Sequence, residues 1–144
     1  MKMVDVGGKE KTERIAIATA RLKMQPSTIR RIRRKDVEKG DVLAAAKLAG
    51  VMAAKKTPDL VPLCHPIALS GVTVEIGLAG GGRVDIAATV KTVDRTGVEM
   101  EALTAVSVAA LTLYDMLKAV DPAASIGDIR VLRKEGGKTG TWTR

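Results

Sequence analysis

The sequence predicts an α+β domain, with four antiparallel strands under two alanine-rich helices that share one face. Three observations predict it. Glu99 to Val120 contains neither Gly nor Pro and is dominated by strong helix formers such as Ala and Leu. Val42 to Lys56 is a second alanine-rich stretch, entered through Asp41, a good N-cap residue. Between them, Val72, Val74, Ile76 and Leu78, then Val84, Ile86, Ala88 and Val90, alternate with other residues on either side of Gly80-Gly81-Gly82. That is the pattern of a hairpin.

Each element can be justified in chain order. Lys9 to Glu13 is polar and expected to be irregular. Arg14 to Met24 alternates as a strand, with Ile15, Ile17 and Thr19 on one side and small alanines on the other. Pro26 suits the first position of a short helix, Ser27 to Arg34, which carries Arg30, Arg31, Arg33 and Arg34 and reads as a solvated basic face. The slender 42–56 helix can approach a neighbour closely, and Lys55 and Lys56 complement its C-terminus. Leu60 to Ser70 cannot be a regular element, because Pro62 and Pro66 interrupt it. The hairpin follows, then the 99–120 helix, closed by Pro122. A last strand is expected around Asp128 to Lys134. The order is that of the split β-α-β-β-α-β, or ferredoxin-like, arrangement. We expect one domain over 1–144, with flexible segments at 1–12 and 135–144.

Composition narrows the partners. The 24 Lys plus Arg exceed the 16 Asp plus Glu, a formal charge of +8, so an anionic partner is expected. Nucleic acid is disfavoured: the chain has no Phe, one Tyr and one Trp, too few rings to stack bases. A purely structural subunit is the other alternative. No apolar run is expected to reach the roughly 18 residues of a membrane span, and no secretory signal pattern opens the chain. One cysteine permits no internal disulfide. A cytoplasmic location is expected.

The chemistry-bearing residues fall in three places. At about 100° per residue, the long helix separates an apolar face running from Ala102 to Val120 from an arc carrying Glu101, Thr104, Ser107, Thr112, Asp115 and Lys118. Val108 and Leu111 are mixed into that arc, so something is expected to cover it. Asp115 and Lys118, three apart, can share a hydrogen bond; an ordinary surface ion pair is the alternative. The only Cys and only His, Cys64 and His65, sit between the two prolines as either a packed loop or a presented site. With no second Cys/His pair, a zinc site is not expected. The tail Glu135-Gly136-Gly137-Lys138 reads as a flexible end or a mobile phosphate clamp.

Taken together, LVPLCHPI, VEMEALTAVSVAALTLYDMLKAVD and KEGGKTG resemble the MoaC family, the cyclic pyranopterin monophosphate synthases of molybdenum cofactor biosynthesis. The resemblance runs from Met3 to Gly140. It implies a lyase acting on 3′,8-cyclo-7,8-dihydro-GTP that releases pyrophosphate. It also implies that Asp115 and Lys118 handle proton transfers, that Leu63, Cys64, His65, Met100 and Glu101 contact substrate, and that Lys39, Lys134, Lys138 and Arg14 hold the triphosphate. A homohexamer, a trimer of dimers with the site at a subunit interface, is implied too. No cofactor is required, though Mg²⁺ could accompany the triphosphate. The chain departs from relatives that carry histidines just before Lys39; here Val37-Glu38 stands there. A lysine lowered toward neutral pH beside an ionised aspartate would supply both an acid and a base.

Overall fold

A computed structural model describes residues 1–144. The strands are β1 (Thr12–Lys23), β2 (Leu69–Ala79), β3 (Arg83–Asp94), β4 (Ser125–Glu135) and β5 (Trp142–Thr143). The helices are α1 (Pro26–Arg33), α2 (Val42–Lys55), α3 (Thr57–Leu60) and α4 (Glu99–Leu117). The sheet order is β2-β3-β1-β4-β5, every neighbouring pair antiparallel. Its first four strands have the ferredoxin-like order. The sheet has five strands where four were expected, because Trp142 and Thr143 return to pair with Lys134 and Arg133. A two-residue strand has no alternation to read.

The alternation in β1 is real, but its core side is the alanine side. Ala16, Ala18, Ala20 and Leu22 are buried, whereas Ile15, Ile17 and Thr19 lie half-exposed on the open face. Helix α4 packs on that alanine face, and small residues let it approach, while α2 packs on β2 and on α4. The same holds between α2 and α4: a Cβ added at Gly50 would lie 3.0 Å from the Ala105 carbonyl and 3.0 Å from Val74 Cγ2.

Helix ends follow local chemistry. The Asp41 carboxylate accepts from the Ala44 N–H at 3.0 Å and starts α2. Asp121, 1% exposed, accepts from the Gln25 N–H and the Thr28 hydroxyl, both at 2.8 Å. This rivets the start of α1 to the end of α4. α4 stops at Leu117, three residues short of the expected Val120, which is exposed. At 19 residues and mean hydropathy 1.3, α4 is long and apolar enough to cross a membrane, contrary to the expectation from its Thr, Ser and Asp residues. In the fold its apolar side is the core, packed on the sheet and α2.

Candidate active site

The expected site residues divide between the two ends of α4. Glu101 and Asp115 are 14 residues apart on one helix, which at 1.5 Å per residue is about 21 Å.

At the C-terminal end, Asp115 stands between two ammonium groups. Lys39 Nζ donates to Asp115 Oδ2 at 2.8 Å and to its backbone carbonyl at 3.1 Å, and Lys118 Nζ lies 2.9 Å from Oδ1. The loop after α1 delivers Lys39, and the last turn of α4 presents Asp115 and Lys118. The side chain of Asp115 is 55% exposed. Hydrogen bonds from Lys39 and then Lys118, reinforced by their charges, hold its carboxyl down at about 2. The Asp115 carboxylate in turn raises the Lys118 ammonium. The expectation of a lysine lowered toward neutral pH is therefore corrected. An exposed lysine hydrogen-bonded to a carboxylate is held protonated, and no neighbouring cation outweighs that bond. Lys39, expected among the phosphate holders, belongs to this cluster and lies at the opposite end of α4 from Lys134 and Lys138.

At the N-terminal end two clefts adjoin, sharing Lys9, Thr96, Gly97 and Glu99. One, of about 460 Å³, is lined by Leu63, Cys64, His65 and Met100 among others. The other, of about 750 Å³, is lined only by polar residues and glycine, including Arg14, Lys134 and Lys138. Glu101 lies beneath them. The helical wheel put it on the open arc, yet it is 2% exposed, because the 61–67 loop closes over the start of α4. Its Oε2 has no hydrogen-bond partner. Its Oε1 faces the Cys64 thiol at 3.8 Å. Burial pushes the carboxyl up. Burial and then the Glu101 charge push the thiol up as well, so Cys64 is a proton-bearing neighbour and a poor nucleophile.

Arg14, 9% exposed, is spent partly on structure. Its Nε donates to the Asp94 carbonyl at 3.1 Å and its Nη2 to the Arg95 carbonyl at 3.3 Å. The tail segment lies against it: at Gly136 (φ 99°) and Gly137 (φ 75°) an added Cβ would strike the Glu13 carbonyl and the Arg14 guanidinium. These glycines bring Lys138 to the cleft wall.

Two participants escaped the sequence reading. Lys9 lines both clefts, although its stretch reads as frayed. Glu99 pairs with Lys134 at 3.2 Å, where only a helix-dipole role was visible. No three His, Cys, Asp or Glu side chains converge as a metal site.

A model of the MoaC family matches residues 3–137. The chain belongs to that family. It is 57% identical over 143 residues to a protein of Streptomyces coelicolor named cyclic pyranopterin monophosphate synthase, covering 99% of this chain and 84% of that one. It is 58% identical over 142 residues to cyclic pyranopterin monophosphate synthase 2 of Mycobacterium bovis, with coverage of 99% and 84%. A Roseiflexus protein of the first name is 56% identical over 140 residues, covering 96% and 89%. Among MoaC family members, then, this chain shares most of its length with those relatives, and both ends of α4 fall inside the matched region.

Proposed function

We propose that the chain is a cyclic pyranopterin monophosphate synthase of molybdenum cofactor biosynthesis. It converts 3′,8-cyclo-7,8-dihydro-GTP to cyclic pyranopterin monophosphate and pyrophosphate, as a lyase in the cytoplasm. The observation that carries this reading is the Lys39–Asp115–Lys118 cluster on a MoaC family chain.

Two lysines on one carboxylate form a resting state. A phosphate group competes for both ammonium ions through charge-assisted hydrogen bonds. As Lys39 and Lys118 turn to it, Asp115 loses the bonds that depress it and becomes a better base. Lys118, held protonated, serves as the acid. Closing the cyclic phosphate requires a sugar hydroxyl to attack the α-phosphorus, its proton passing to the base while pyrophosphate leaves with the bonding electrons. Lys134, Lys138 and Arg14 hold the polyphosphate, and Leu63, Cys64, His65 and Met100 line the ring system, with Glu101 buried behind Cys64 rather than in direct contact. Mg²⁺ would come with the triphosphate; the chain itself offers no ready-made metal ligand set.

Because the two groups lie about 21 Å apart along one helix, the site takes Asp115 from a second copy. A two-fold operator sets the end of one α4 beside the start of its partner's. Exposed Leu48, Met52 and Leu111 on the outer helical surface support such a contact, and three dimers would give the hexamer.

Asp115→Ala and Lys118→Ala are expected to abolish pyrophosphate release with fold and assembly intact. Mixing Asp115→Ala with Lys134→Ala/Lys138→Ala, each expected to be inactive alone, then tests the sharing. Random dimers regain about a quarter of wild-type activity if each site spans two copies, and none if each site lies within one.

A further inference from the structure

One basic surface lies outside both halves of that site. Helix α1 and its C-cap residue Arg34 together carry four arginines and no acidic residue. Three arginines on the sheet are neutralised, Arg21 by Asp85 and Asp128, Arg83 by Asp85 and Arg133 by Glu135, while Arg14 and Arg130 form no ion pair. On α1, Arg31 reaches only Asp36, at 3.8 Å, and Arg30 and Arg34 form no ion pair. Arg30 and Arg34 are four apart, where like charges repel. The helix dipole welcomes cations in a last turn, but it does not require two unpaired guanidinium groups stacked on one side.

These side chains stand on a rigid support. Ile29 and Ile32 are buried beneath them, and buried Asp121 ties the helix start to the end of α4. With Ser27 and Val120 they line a cleft of about 360 Å³. Unpaired planar guanidinium groups converging on one hollow match a compact polyanion, whose oxygens can take two parallel N–H bonds from each. We propose that this α1 cleft is a second anion site, for a diphosphate-type group: either free pyrophosphate or the tail of a nucleoside triphosphate.

Titration calorimetry with sodium pyrophosphate and with GTP tests it. A Lys39→Gln/Lys118→Gln/Lys134→Gln/Lys138→Gln variant removes the phosphate-holding lysines at both ends of α4 and isolates the α1 site. Pyrophosphate binding is expected to persist there, and to weaken about tenfold or more when Arg30→Gln and Arg34→Gln are added. Unchanged affinity after that addition, or no binding in the isolating background, overturns the proposal. Full binding by Arg30→Lys/Arg34→Lys also overturns it, since diffuse charge would then suffice. Tighter binding of pyrophosphate than of GTP makes the free anion the occupant; the reverse makes it the nucleotide tail. Circular dichroism checks that each variant folds. Pyrophosphate release from the cyclised nucleotide is assayed separately, so failure of the catalytic reading and failure of this site remain distinguishable.

Discussion

At the start of α4 a carboxyl group, Glu101, is sealed between helix and loop with only a thiol against it. At the other end Asp115 stands in water between two ammonium groups. The same helix thus pushes one carboxyl pKa up by burial and lets lysines pull another down to about 2. The difference separates two ways of preparing an acid. Burial ties the state of Glu101 to the core, so changing it alters stability. Ion pairing in solvent ties the state of Asp115 to whatever competes for its lysines, so changing it alters chemistry and leaves the fold alone.

The largest expected effect breaks the comparison at its exposed end. Asp115→Asn keeps the shape and removes the charge, and should cost about 10²–10⁴-fold in pyrophosphate release. Its melting temperature should match wild type. An active Asp115→Asn protein would remove the acid–base reading of that end.

A smaller effect tests whether the buried end is built from backbone. Gly136 has φ 99°, and an added Cβ meets the Glu13 carbonyl. Gly136→Ala should destabilise by about 1–3 kcal/mol and weaken substrate binding by displacing Lys138. Loss of affinity with unchanged stability would place the role of the tail in its charge alone.

Smaller again is the pH signature of Glu101. Its folded pKa is raised, so its contribution to stability is complete below the ordinary carboxyl value and is lost as pH rises through the raised one. Glu101→Gln stays neutral throughout. It should be more stable than wild type at pH 8 by on the order of 1 kcal/mol, with the difference vanishing toward pH 4. Urea titrations at both pH values measure this, and a pH-independent difference would mean that Glu101 is not held by burial.

Much of this was legible in residues. Asp41 announced α2, the alternation around Gly80-Gly81-Gly82 announced β2 and β3, and the Gly- and Pro-free run announced α4. The strings around Cys64 and Asp115 pointed to the family. What stayed hidden needed long-range geometry. Alternation gives β1 two faces but does not say that the alanine face is the inner one. A helical wheel cannot place Glu101 under a loop some 37 residues earlier in sequence. The Lys39–Asp115 pair joins residues 76 apart, and nothing local to Lys39 distinguishes it from a phosphate-binding lysine.

The smallest expected effect is on stability at the exposed end. Asp115 has a lowered pKa, so its pairing contributes stability above the ordinary carboxyl value, and that contribution is lost as pH falls toward about 2. Both partners are half in water, and salt screens them. Lys39→Gln should therefore leave the melting temperature at pH 7 unchanged at low salt and in about 1 M salt, while lowering pyrophosphate release. Differential scanning calorimetry decides it. A clear, salt-sensitive drop in melting temperature would show that the cluster also holds the α1–α2 loop onto α4, and the contrast between a structural end and a chemical end of the helix would fail.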